Sequence, residues 1–195
     1  MILWTMQPLQ ILNMIQETGV YRCDQAKSSM PELEFTSKYH WLIHQMEKRI
    51  GPPPDGVEYP VWAWHTQNWK HKKPDLRSER WGYGPGNEKY TCIEFEIRDY
   101  QVLLSDFDAW SIILNDGLLN ETEAESDQMD VYYDSLSEEE QEAFKNENWQ
   151  GVFDITPLDN DWMTRGRWIQ ATVWELRNEM IRDVRFFVTG KYKRR

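Results

Sequence analysis

Two cysteines, Cys23 and Cys92, are all the thiol in 195 residues. A disulfide-dense scaffold is thereby excluded, and a reducing cytoplasm is the expected setting. No stretch of 18 apolar residues occurs, so no membrane-spanning helix is expected. The opening residues, Met1 to Gln7, carry no basic cluster ahead of a long apolar run and do not read as a signal peptide. There is no Gly-x-Ser-x-Gly, which leaves out a serine nucleophile elbow. Gly82, Gly84 and Gly86 are not followed by Lys-Ser/Thr, so their loop lacks the cradle of a phosphate-binding P-loop and reads as a flexible, lid-like connection. Histidine is sparse, at four residues. His40, His44 and Glu47 have a helical spacing that suits a metal, but Trp41 stands where a zinc protease needs its glutamate, and no metal site is expected.

Positive charge is also in short supply. Lys and Arg number 22 against 33 Asp and Glu, for a formal net charge of −11. A uniformly acidic surface would repel a phosphate backbone, but the charge is not uniform. Residues 120–147 alone carry −10, so the remaining chain is close to neutral. Residues 66–80 carry +3 and residues 177–195 carry +5. The aromatic content is high: 11 Trp, 9 Tyr and 7 Phe, too many for a disordered acidic protein.

The pattern along the chain predicts one α+β domain over 1–195, with a mixed or antiparallel central sheet, flanking helices, and an acidic helix-loop insertion at 116–148. Ile2–Thr5 reads as a strand, followed by a helix that Pro8 opens and Gly19 closes. Tyr39, Leu42, Ile43, Met46 and Ile50 share one helical face, and Gly51 with three prolines stops that helix. Strands are predicted over 59–65, 90–97, 101–104, 152–155 and 168–174. Ser105 with Asp108, and Ser137 with Glu140, carry the spacing of capping boxes. Residues 66–88 and 116–135 read as loops. The stretch 179–188 fits a helix or an ending strand equally well.

Several segments together carry a resemblance: Leu3–Pro8, Gly19–Arg22, Tyr39–Leu42, Pro60–Trp64, Leu104–Trp110 with Leu114 and Asn115, and Gln170–Trp174. In this order they resemble the bacterial group known as domain of unknown function family 3841. That resemblance implies a bacterial or phage-related intracellular protein and brings no activity or catalytic residue with it. The start and end of the chain are also similar in outline to ADP-ribosyltransferase-like domains. Those use a His or Arg on the first strand, where this chain offers Trp4, Thr5 and Gln7. The opening is similar as well to small RNA-binding barrels of the ASCH and PUA-like kind.

The functional expectation is a pocket for a nucleotide-like small molecule, with NAD as the possible cofactor. Trp4, Thr5, Gln7 and Arg22 would form one wall. Arg22 could hold a phosphate bidentately. Trp62 and Trp64, two apart on a strand, would stack on a flat ring. By resemblance, Gln170 would orient a ribose and Glu175 would polarise a hydroxyl as the catalytic pair. Glu94 and Glu96 are a second carboxylate pair, read as solvent-facing. The contrasting expectation is a non-enzymatic interaction protein that docks a basic protein partner on 120–147, or acts through the basic residues Lys191–Arg195.

Overall fold

The computed structural model describes residues 1–23, 35–80, 82, 83 and 86–190. The basic run Lys191–Arg195 and Trp81 lie outside the described residues. The chain forms β1 (Ile2–Pro8), α1 (Leu9–Thr18), β2 (Val20–Tyr21), α2 (Thr36–Ile50), β3 (Val61–Thr66), α3 (Leu76–Glu79), β4 (Lys89–Glu96), β5 (Leu103–Asp106), α4 (Phe107–Leu114), α5 (Glu123–Asp134), α6 (Glu138–Asn148), β6 (Leu158–Asp159), β7 (Thr164–Arg165), β8 (Ile169–Val173), β9 (Leu176–Arg177) and β10 (Ile181–Val188). Six strands make one sheet in the order β10-β4-β1-β3-β8-β5, with every pairing antiparallel.

Alternation along the strands sorts side chains onto two faces. Leu3, Val61, Ala63, Ile93, Phe95, Ala171 and Val173 share one face, which Leu12 and Ile15 of α1 cover. That helix ends as its sequence dictates. Gly19 adopts a positive φ of 82°, and its N–H closes onto the Ile15 carbonyl. On the other face, Leu42 and Met46 of α2 and Trp110 and Ile113 of α4 pack over Leu103 and Trp62. Fully burying a Leu, Ile or Phe side chain contributes roughly 1.5–3 kcal/mol. These two clusters hold Leu3, Ile15, Leu42, Ile93, Phe95 and Ile113 with no exposed surface at all. The result is a single α+β domain around a twice-covered sheet.

Several local expectations change. The helix after β5 starts one residue late. Its cap is Asp106, whose carboxylate accepts from Ala109 N at 2.9 Å and from Gly166 N at 2.6 Å. Ser105 stays in the strand, because a charged acceptor that serves two backbone N–H groups outcompetes a neutral hydroxyl. Residues 152–155 lie not in a strand but at the end of a 3-10 turn over Trp149–Phe153. The expected loops at 66–88 and 116–135 contain α3 and α5. Helix α5 is capped by Thr122, whose hydroxyl accepts from Glu125 N. None of its residues is buried, so no apolar period marked it. Helix α6 has the full capping box that Ser137 and Glu140 promised. The ambiguous 179–188 resolves as edge strand β10, paired with β4.

Candidate functional site

The central strand β1 pairs with β4 along its whole length, from Ile2 opposite Glu96 to Pro8 opposite Tyr90. With β3 it shares a single partner pair, Trp4 opposite Trp64. Beyond that pair the two strands separate, and the sheet opens in its middle. The Thr5 side chain spans the opening: its hydroxyl donates to the Trp62 carbonyl at 2.8 Å and accepts from Gln7 Nε2 at 2.8 Å. Thr91 on β4 donates to the Gln7 carbonyl at 3.1 Å and steadies that end of β1.

The opening is a cavity of about 230 Å³, lined by Thr5, Met6, Gln7, Trp62, Ala63, Trp64, Tyr83 and Gln170. Five of the residues singled out from sequence therefore line one space: Thr5, Gln7, Trp62, Trp64 and Gln170. Gln170 sits on β8 opposite Trp64 and on β8's other side opposite Ser105. It is 6% exposed, and its Nε2 has no hydrogen-bond partner among the described residues. Ser105 Oγ beside it is likewise buried and unpartnered. A buried amide donor left unpaired costs about 1–3 kcal/mol, so each such group requires an account.

The wall that the sequence did not reveal is Tyr83. Trp64 Nε1 donates to Tyr83 Oη at 3.2 Å, and the Tyr83 hydroxyl in turn hydrogen-bonds Glu79 of α3. Burial holds the phenol well above its usual range. Burial also pushes the Glu79 carboxyl up, against hydrogen bonds from Gln67 and Tyr83 that pull it down. The signal that could have placed this segment is Asp75. It caps α3 by accepting from Arg77 N at 3.0 Å, and so starts a helix inside the supposed loop.

Three other expected residues lie elsewhere. Trp4 shares a sheet face with Trp64, but its Nε1 donates to Glu94 at 2.9 Å and its ring meets His71. Glu94 is thus not a solvent-facing acid; Lys73 pairs with it at 3.1 Å. Glu96 remains exposed and pairs with Arg182. Arg22 and Glu175 do meet, at 3.1 Å, yet neither lines the cavity. The Glu175 carboxylate is held between Arg22 and Arg177, with Arg177 at 2.5 Å. The ion pair thus occupies both the proposed phosphate ligand and the proposed catalytic carboxylate. His44 approaches Glu47 at 3.6 Å, and no group of three or more metal-ligating side chains gathers among the described residues.

No helix among the described residues is long and apolar enough to cross a membrane. No curated protein and no solved structure matches the chain. A family model does match, over residues 2–182, described as Domain of unknown function (DUF3841). That span contains five of the six sheet strands, the start of the edge strand β10, and every residue of the cavity, and the chain belongs to the DUF3841 family.

Proposed function

We propose that the split in the sheet binds the ring of a nucleotide-like small molecule, a planar heterocycle with an amide edge. The observation that carries this reading is the buried, unpaired Nε2 of Gln170 beside a cavity walled by Trp62, Trp64 and Tyr83. Aromatic walls favour a flat ring. Gln7 already donates from Nε2 to Thr5, which leaves its side-chain Oε1 as an acceptor. Gln170 supplies the donor. A ring that presents C=O next to N–H, as nicotinamide and the lactam bases do, matches both.

At about 230 Å³ the cavity falls below the roughly 300–1,000 Å³ of drug-sized pockets. It suits one ring, with any ribose and phosphate outside it. The function proposed is binding, because in an ADP-ribosyl-transferring version Glu175 would have to leave Arg22 and Arg177. The proposed setting is the cytoplasm.

Calorimetric titration with nicotinamide, uracil, hypoxanthine and NAD tests the reading, with pyridine as the ring without an amide. Saturable binding of an amide-edged ring, lost in Gln170→Leu and absent for pyridine, is the expected result. No saturable heat from any of the four, or equal binding of pyridine, would overturn it.

A further inference from the structure

A second and larger cavity, of about 500 Å³, lies where α6 meets α2. Its centre is basic. Lys38 Nζ and Lys145 Nζ converge on the one carboxylate of Asp116, at 3.2 and 2.5 Å, and each lysine is less than a fifth exposed. Burial alone would raise the Asp116 carboxyl, but the hydrogen bonds from Lys145 and Lys38 outweigh it and hold the group below its usual range. Two ammonium groups against one carboxylate leave a positive charge at the centre. Asp116 also carries a positive φ of 64°, so this carboxylate is presented from the left-handed region that few non-glycine residues occupy.

One wall is aromatic. Trp41 stacks on Phe153 with an interplanar angle of 10° and meets Trp149 edge-on. Its indole Nε1–H is buried and has no acceptor among the described residues. The remaining charged lining is of the opposite sign: Glu138 and Glu142, exposed on the first turns of α6. A polyanion such as a nucleotide triphosphate would meet those carboxylates at the entrance, and a simple cation would meet the lysines inside.

We propose that this cavity binds a small zwitterion, an α-amino acid with a large apolar side chain. Its carboxylate takes the charge left by Lys38 and Lys145 and accepts from Trp41 Nε1. Its ammonium faces Glu138 and Glu142, and its side chain lies on Trp41 and Trp149. This site is separate from the sheet cleft and shares no lining residue with it, Gln170 included.

Calorimetry on the full chain with L-phenylalanine, 3-phenylpropionate and phenethylamine reads the two charges apart. Phenylalanine is expected to bind saturably, and removal of either charge is expected to weaken binding at least tenfold. Binding is expected to move one indole N–H resonance, the one that Trp41→Phe deletes. Lys145→Gln is expected to weaken phenylalanine and phenylpropionate alike. Because Lys145 also ties α6 to Asp116, the exposed Glu142→Gln is the second variant. It is expected to weaken phenylalanine while leaving phenylpropionate unchanged. Absence of saturable phenylalanine binding would overturn the proposal. So would equal binding of phenylpropionate, or an unchanged affinity in Glu142→Gln. Loss of phenylalanine binding in Gln170→Leu would place the ligand in the sheet cleft instead and equally end it.

Discussion

Gln170→Leu should make the protein more stable and less able to bind. The side chain is 6% exposed on a central strand, with its Nε2 unpaired. An unsatisfied buried amide costs about 1–3 kcal/mol, and leucine is close in size with nothing to satisfy. Apolar burial adds to the gain, and imperfect packing against Trp64 subtracts from it. A net stabilisation of about 1–2 kcal/mol follows. For a chain of this length each kcal/mol moves Tm by roughly 2–4 °C, so Tm should rise by about 2–8 °C. Urea unfolding should show a higher midpoint at unchanged slope. The binding of the amide-edged ring should disappear in the same variant. Stability given up at a site to keep a polar group ready for a ligand is a recurrent trade-off. Destabilisation by more than about 1 kcal/mol would refute the reasoning, because it would mean that the amide already makes bonds the fold depends on.

Two further predictions concern the scaffold. Asp106→Asn keeps the shape but leaves a buried N–H, of Gly166 or of Ala109, facing an amide donor. It should cost about 2–4 kcal/mol in urea unfolding, and a cost under 1 kcal/mol would show that the cap is dispensable. His65 stacks on His71 at 4.2 Å, and burial first, then His71, lowers its pKa from 6.5 to about 4. The unfolded chain therefore binds a proton that the folded chain refuses. Stability is full above pH 6.5 and falls as pH drops toward 4. The unscreened shift is worth about 3 kcal/mol, and solvent screening of this half-buried ring reduces it to roughly 1 kcal/mol. His65→Gln should flatten the Tm profile between pH 4 and 6.5; an unchanged slope would remove His65 as its cause.

Residues whose period or cap is local could be read directly from the chain. Gly19 and Pro8 bounded α1, the face of Tyr39, Leu42 and Met46 announced α2, and Ser137 with Glu140 announced α6. Alternation placed Ile93 and Phe95 inward on β4. Helix α5 went unseen because none of its residues is buried, and its Thr122–Glu125 cap was the one local sign it carried.

The chemistry of the cleft residues was equally legible: Trp62 and Trp64 two apart on a strand, amides at Gln7 and Gln170, a hydroxyl at Thr5. Their meeting was not, since positions 5, 62 and 170 come together only through strand order. Tertiary structure alone decided three things. It left β1 and β3 with the single partner pair Trp4 and Trp64, and spanned the gap beyond it with the hydrogen bond from the Thr5 hydroxyl to the Trp62 carbonyl. It closed the far side with Tyr83, through a hydrogen bond from Trp64. It also withdrew Arg22 and Glu175 from the site, because Arg22 and Arg177 neutralise that carboxylate where it stands. Spacing along a chain fixes which faces are apolar; which polar groups end up paired, and which are left waiting, depends on neighbours that only the folded sheet supplies.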